Sequence, residues 1–355
     1  MIIPVFGHAQ LRARLSDSIQ RGALPASILL QGPRGVGKQR LALWLAQRLL
    51  CQAPAAPCGE CQSCRFALEL RHPDLHWYFP RPRLKDTDPE LDDVRDDYGE
   101  AIAERAGNNG LYEPPSGSEG IYVATVRAIV QQAVLSPVMS KRKIFIIGDA
   151  ERMVPQEGSE QAANAFLKLL EEPPQDTTIV LTSSEPGALL PTVRSRVVSL
   201  RVSPLPDDDV RAFLSHEAVA RFLKGDDSLP ADLDERARFA SGAPGRLLGA
   251  AGWAAALENA RRFLEAAAGK GSRYEVAWSQ ASTKARGSFS ETLDALTAEL
   301  HQRARASVAH GSNASALGAS RALEVVELAK ERIASNVSPQ LITVNLIRDL
   351  QGLLS

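Results

Sequence analysis

The apolar run Ser27-Ile-Leu-Leu-Gln31 passes directly into Gly32-Pro-Arg-Gly-Val-Gly-Lys38, and Leu41, Trp44, Leu45 and Leu49 then recur at three- and four-residue spacing up to Leu50. Strand, glycine-rich turn and amphipathic helix therefore follow one another without a gap. Glycines allow several backbone N–H groups to converge on one anion at a helix N-terminus, and a mobile ammonium at Lys38 supplies the countercharge. Gly32, Gly35, Gly37 and Lys38 are thus the candidate phosphate-cradling residues. Few local patterns restrict a fold as strongly, because the loop works only at the end of a strand in a parallel sheet.

The rest of the first 200 residues repeats this alternation. Lys143-Ile-Phe-Ile-Ile-Gly-Asp149 and Thr177-Thr-Ile-Val-Leu-Thr182 read as strands, separated by a helical pattern from Gln161 to Glu172 that stops at Pro173-Pro174. Alternating strands and helices predict an α/β domain over 1–203 with a mostly parallel sheet covered on both faces. Between 79 and 120 the pattern breaks down. Asp86 to Asp97 carries seven acidic residues and one Arg, and the stretch reads as a surface insertion forming a solvated, partly mobile loop. After Ser203-Pro-Leu-Pro206 only helical patterns remain, giving a small helical unit over 204–250 and a larger all-α unit over 251–355.

The 355 residues hold 41 basic and 42 acidic side chains, a net charge of -1. No global positive field holds such a chain on nucleic acid or on an anionic membrane, so any contact with DNA is local or shared with partners. The first residues, MIIPVFGHAQLRARL, lack the basic start and apolar stretch of a signal peptide, and no run of about 18 apolar residues occurs. A cytoplasmic location without membrane contact is the expectation.

All four cysteines lie between 51 and 64. Cys51, Cys58, Cys61 and Cys64 leave gaps of six, two and two residues, and two-residue gaps let neighbouring thiolates converge on one tetrahedral zinc. Four soft ligands make a closed, structural site. An empty thiol cluster and an iron–sulfur centre are the alternatives, and His72 and His76 are nearby substitute ligands.

Two departures mark the phosphate loop. Ser or Thr should follow the lysine to ligate magnesium, but Gln39 stands there. Its amide oxygen is long enough to reach a metal. Asp149 ends a strand as a magnesium-positioning carboxylate should, yet the next residue is Ala150, and Glu151, if the chain stays extended, points elsewhere. Loss of both groups predicts that this chain does not hydrolyse nucleotide at its own site, and leaves open whether it binds one.

Taken together, several segments resemble the clamp-loader branch of the AAA+ family, and most closely its delta prime group. They are Gly7-His8 with Leu11, the loop Gly32–Lys38, the cysteine cluster, Asn164-Ala-Phe-Leu-Lys-Leu-Leu-Glu-Glu-Pro-Pro174 and Thr192-Val-Arg-Ser-Arg-Val197. The likeness runs over about residues 1–250. It implies an AAA+ P-loop domain, a helical lid and a C-terminal collar within a five-membered ring that opens a sliding clamp on primer-template DNA. Its ring partners would be ATP-binding gamma or tau subunits and a delta subunit, with the clamp a transient contact. In that family a Ser-Arg-Cys motif lends an arginine finger to ATP on the neighbouring subunit. Here the triplet is Ser195-Arg196-Val197, which makes Arg196 the expected catalytic group in trans, with Arg194 the less favoured candidate. Thr182-Ser183-Ser184 matches the sensor 1 region. Gly242-Ala-Pro-Gly-Arg246 resembles sensor 2, where Arg246 would face a nucleotide in the chain's own degenerate site or persist as a helix-end charge. An ATP-hydrolysing gamma-type subunit using Lys38 and Asp149 is the rival reading.

Overall fold

The computed structural model describes residues 1–86, 89–115, 119–153, 160–280, 285–334 and 337–354. The chain divides into two compact units, one made of Met1–Gly225 with Ala231–Leu248, the other of Asp226–Pro230 with Gly249–Ser355.

In the first unit α1 (Ala9–Gln20), β1 (Ser27–Gln31), α2 (Lys38–Leu50) and α3 (Gln62–Leu68) come first, followed by β2 (Leu75–Tyr78), α4 (Leu91–Gly107), α5 (Val123–Ala133) and β3 (Lys143–Ile147). Then come α6 (Glu160–Glu171), β4 (Thr177–Ser183), α7 (Pro191–Arg194) and β5 (Val198–Arg201), and three short helices close the unit: α8 (Asp207–Leu214), α9 (Glu217–Phe222) and α10 (Leu233–Ala240).

The five strands form one sheet in the order β2-β3-β4-β1-β5, and every pairing is parallel. The three central strands are buried over almost their full length, which is why they read as continuous apolar runs rather than alternating ones. The expected α/β class is therefore present. Because all strands point the same way, their C-terminal ends share one edge, and the Gly32–Lys38 loop opens from that edge.

The 79–120 segment departs from the expected solvated loop. Residues 91–107 form α4, with Glu90 and Asp93 exchanging side-chain and backbone hydrogen bonds at its start. Asp92 and Asp93 fill the first turn, where negative charge suits the helix dipole. Val94, Tyr98 and Ala101 are buried at helical spacing, and the Tyr98 hydroxyl donates to the Phe79 carbonyl at 2.6 Å. Much of the acidity thus belongs to the solvent face and N-terminal turn of a packed helix; Thr87 and Asp88 lie outside the described residues.

Among the described residues the regular elements of the second unit are all helices: α11 (Ala250–Ala267), α12 (Arg273–Ser279), α13 (Ala285–Ala309), α14 (Asn313–Ala334) and α15 (Pro339–Leu354). Phe263, Phe289, Leu293, Leu300, Val326 and Ile347 are buried in it. Lys330 on α14 joins Asp294 on α13 at 2.9 Å. No helix among the described residues is long and apolar enough to cross a membrane.

Candidate functional site

The phosphate loop bends through two left-handed glycines, Gly35 at φ 81° and Gly37 at φ 94°, a conformation that side-chain-bearing residues rarely adopt. Gly35 also lies against another backbone: a Cβ there would fall 2.8 Å from the Arg246 nitrogen, and Gly245 N–H donates to the Gly35 carbonyl at 2.8 Å. The segment 243–246 therefore packs directly on the loop. From the other side His8 Nε2 bonds the Val36 carbonyl at 2.9 Å.

Lys38 is buried. Its ammonium donates to the Gly32 carbonyl, the Pro33 carbonyl and Ser184 Oγ, each at 2.9 Å. Three donors thus meet three acceptors inside the protein. Ser184 N–H in turn donates to Glu151 Oε1 at 2.9 Å. Glu151 does not point elsewhere. Asp149 adopts the left-handed conformation at φ 48°, and a 3-10 turn, Ala150–Arg152, follows. This breaks the extended alternation and returns Glu151 to the loop. Burial, then the neighbouring Asp149 charge, pushes its carboxyl up to about 7, with Lys38 and the Ser184 N–H acting in the opposite direction.

Gln39 is also fixed. Trp77 Nε1 donates to Gln39 Oε1 at 3.0 Å, and Gln39 Nε2 donates to Asp149 Oδ2 at 3.0 Å. The amide oxygen that could have reached a metal is turned onto the indole instead. Behind Trp77, the Arg105 guanidinium of α4 lies 3.2 Å from the Phe79 ring centre, 3.7 Å from that of Tyr112 and 4.6 Å from that of Trp77. Burial lowers its pKa to about 10, and attraction from Asp149 is among the opposing effects. Trp77 and Arg105 escaped the sequence reading, Ser184 was placed only within the sensor 1 match, and Glu151 was expected to point away. A turn-forming Gly148-Asp149 pair was the one available signal, and it bore on Glu151 alone.

Beside the loop is a cleft of about 150 Å³ whose walls include Ile3, Phe6, Leu43, Phe213 and Leu248, and whose polar residues include Lys38, Gln39 and Asp149. Arg246 is buried, and its Nη1 donates to the Ala240 carbonyl at the end of α10, at 3.3 Å.

Arg196 sits elsewhere. Its Nε donates to Glu171 Oε2 at 3.1 Å and its Nη1 to the Thr192 carbonyl at 3.0 Å. It precedes β5, whose Val198 is level with Ile28 on β1 and whose Arg201 is level with Gln31. About 10 Å of parallel strand therefore separates the start of β5 from the level at which the phosphate loop begins. Arg196 is at the opposite end of the sheet from its own loop, and its side chain is 30% exposed. Arg194 ends α7.

The four cysteine sulfurs lie within 4.8 Å of one another, and neither His72 nor His76 joins them. Cys51 follows α2, while Cys61 caps α3 and accepts from the Cys64 N–H. Three of the sulfur–sulfur distances are 3.6, 3.9 and 3.9 Å. Sulfurs at 2.3 Å from a tetrahedral zinc stand about 3.8 Å apart, so the donor set fits that ion. Backbone N–H groups of Cys61 and Glu60 pull the Cys58 thiol down to about 6, whereas burial pushes Cys64 up to about 12. Cys58 is thus suited to be a thiolate by itself, and Cys64 becomes one only beside a cation. His72 is instead paired with Asp74 and Ser140, and His76 stacks on Phe145.

Residues 7–206 match the family model described as DNA polymerase III, delta subunit. A relative named DNA polymerase III subunit delta' from Pseudomonas aeruginosa is 35% identical over 219 residues, covering 61% of this chain and 52% of that one. The chain belongs to the delta prime clamp-loader family. The Bacillus subtilis delta' subunit is 30% identical over 207 residues, covering 58% of this chain and 50% of its own. A gamma/tau subunit of DNA polymerase III from Mycobacterium tuberculosis is 30% identical over 227 residues, 63% of this chain and 32% of that one. The matched region thus spans about half the length of the delta' relatives. The family-model match over residues 7–206 takes in the phosphate loop, the cysteine cluster and Arg196, and stops short of the second unit.

Proposed function

We propose that this chain is a non-hydrolysing member of a DNA polymerase III clamp loader, which helps place a sliding clamp on primer-template DNA and donates Arg196 to ATP bound by a neighbouring subunit. The observation that carries this reading is the position of Arg196, at the far end of the parallel sheet from its own phosphate loop and partly exposed. A guanidinium there is out of reach of its own loop and available to another chain. It suits the task because it is always charged and can make forked contacts with phosphate oxygens as charge shifts during transfer.

In the proposed ring the neighbour is a gamma or tau subunit and the other partner a delta subunit, with the clamp contacted transiently. The helices of residues 251–355 form the collar and residues 204–250 the lid. Zinc held by Cys51, Cys58, Cys61 and Cys64 is structural: it ties the end of α2 to α3 and fixes a turn, away from the loop at the other end of α2. Gly32, Gly35, Gly37, Lys38, Asp149 and Arg246 form the degenerate nucleotide site of this chain.

The test is a reconstituted loader carrying Arg196→Ala. The ring should assemble normally, and its DNA-stimulated ATPase should fall, by less than the roughly 10³ to 10⁵ seen where one finger serves the only site. Unchanged ATPase and clamp loading would reject the role. Magnesium-dependent ATP turnover by the isolated chain, abolished by Lys38→Ala, would favour an active gamma-type subunit instead.

A further inference from the structure

The AAA+ fold implies a magnesium–nucleotide complex at the phosphate loop, and the residues present do not fit one. Magnesium needs hard oxygen ligands in near-octahedral geometry, supplied in such loops by the hydroxyl after the lysine and by the strand aspartate. Here the residue after Lys38 turns its oxygen away. An indole N–H can only donate, so the atom of Gln39 facing Trp77 must be Oε1, at 3.0 Å. The amide nitrogen is then left to face Asp149 Oδ2, also at 3.0 Å, and a carboxylate can only accept. A hydrogen-bond donor thus occupies a ligand oxygen of Asp149.

Two neighbouring features belong to the same arrangement. A Cβ on Gly148 would lie 2.4, 2.5 and 2.6 Å from the Gln39 amide oxygen, carbon and nitrogen. Only glycine leaves room for the amide in this position. The Lys38 ammonium, which would otherwise meet phosphate, is held by two loop carbonyls and by Ser184, while Arg105 is electrostatically attracted to Asp149. The Lys38 ammonium and the Asp149 Oδ2 thus both have hydrogen-bond partners within the protein, while Arg105 Nη1 and Glu151 Oε2 are buried without one.

We infer that Gln39 fills the magnesium seat. Its amide bridges Trp77 and Asp149, locks the start of α2 to the end of β3, and holds the phosphate loop in one form that does not take a metal–nucleotide complex. Gln39 and Trp77 are positioning residues in this arrangement. The inference stands apart from the role of Arg196, because it concerns the other end of the sheet and is tested on the isolated chain.

The experiment is a titration of the full-length chain with Mn²⁺ and ATP, followed by electron paramagnetic resonance of the manganese. Wild type should bind Mn²⁺–ATP only weakly, and Gln39→Thr, which restores a hydroxyl ligand, should bind it at least about tenfold more tightly than wild type. Trp77→Phe keeps the aromatic wall for Arg105 but removes the indole donor, so the freed amide can present its oxygen and a smaller gain is expected. If Gln39→Thr does not fold, as judged by circular dichroism, Trp77→Phe decides alone. Tight Mn²⁺–ATP binding by wild type, or no gain in the folded variants, would overturn the inference whatever the outcome for Arg196.

Discussion

Arg196 donates to the carboxylate of Glu171 at 3.1 Å, and Glu171 lies within the Asn164–Pro174 motif of the sequence. Two motifs read separately along the chain thus meet at one surface pair. The Glu171 side chain is 57% exposed and that of Arg196 30%. Such a pair is screened by water and contributes no more than about 1 kcal/mol. Glu171 therefore orients the guanidinium without binding it tightly, so on the proposed role of Arg196 a phosphate oxygen would displace it.

Glu171→Ala should accordingly lower stability by less than about 1 kcal/mol in urea unfolding. In a reconstituted loader it should leave ATPase within a fewfold of wild type, while Arg196→Lys, which loses the planar fork, should resemble Arg196→Ala. A Glu171→Ala loader as inactive as Arg196→Ala would mean that the carboxylate itself takes part at the interface.

The cysteine cluster makes a separate claim. Purified protein should hold about one zinc per chain by elemental analysis, because four convergent thiolates leave no open coordination position. Cys61→Ser should lose the metal while its hydroxyl still accepts from the Cys64 N–H and keeps the α3 cap, and it should lower the melting temperature by about 5–10 °C. A metal-free wild-type chain that melts no differently after zinc is added would argue for an empty thiol cluster.

Gly148 and Gln39 supply a coupling test. Gly148→Ala should destabilise by about 1–3 kcal/mol, since the new methyl overlaps the amide. In Gln39→Ala the overlap is gone, so the double variant should be more stable than the sum of the two single effects by about 1–2 kcal/mol. Simple additivity in denaturant unfolding would show that the close approach is relieved in some other way.

How much of this was legible beforehand follows from what each element depends on. The strands at 27, 143 and 177 were readable because parallel central strands are buried on both faces and carry unbroken apolar runs. The edge strands β2 and β5 have four residues each, β5 is largely exposed, and neither stood out. Helix α4 was hidden by its charge: acidic residues dominate its beginning, while Val94, Tyr98 and Ala101 carry its packing. The loop glycines, Lys38 and the cysteines were legible because their chemistry is set by local spacing. Trp77 and Arg105 were not, since they reach the site only through tertiary contacts of β2 and α4. Glu151 depended on one backbone angle, the left-handed φ of 48° at Asp149, which no alternation rule foresees.

That buried carboxylate gives the pH dependence. Burial and the Asp149 charge raise Glu151 from an ordinary value of 4.5 to about 7, so between these limits the folded chain holds a proton that the unfolded chain has released. Its contribution to stability is complete below 4.5 and disappears as the pH rises through 7. Glu151→Gln keeps a carbonyl oxygen for the Ser184 N–H and removes the ionisation, while Lys38 retains its three oxygen acceptors. The variant should therefore match wild type near pH 5 and exceed it by about 1–3 kcal/mol near pH 8 in urea unfolding. A variant less stable than wild type at pH 8 would mean that attraction between Lys38 and an ionised Glu151 outweighs the burial of that charge, and that the carboxylate stands beside the lysine as an anion.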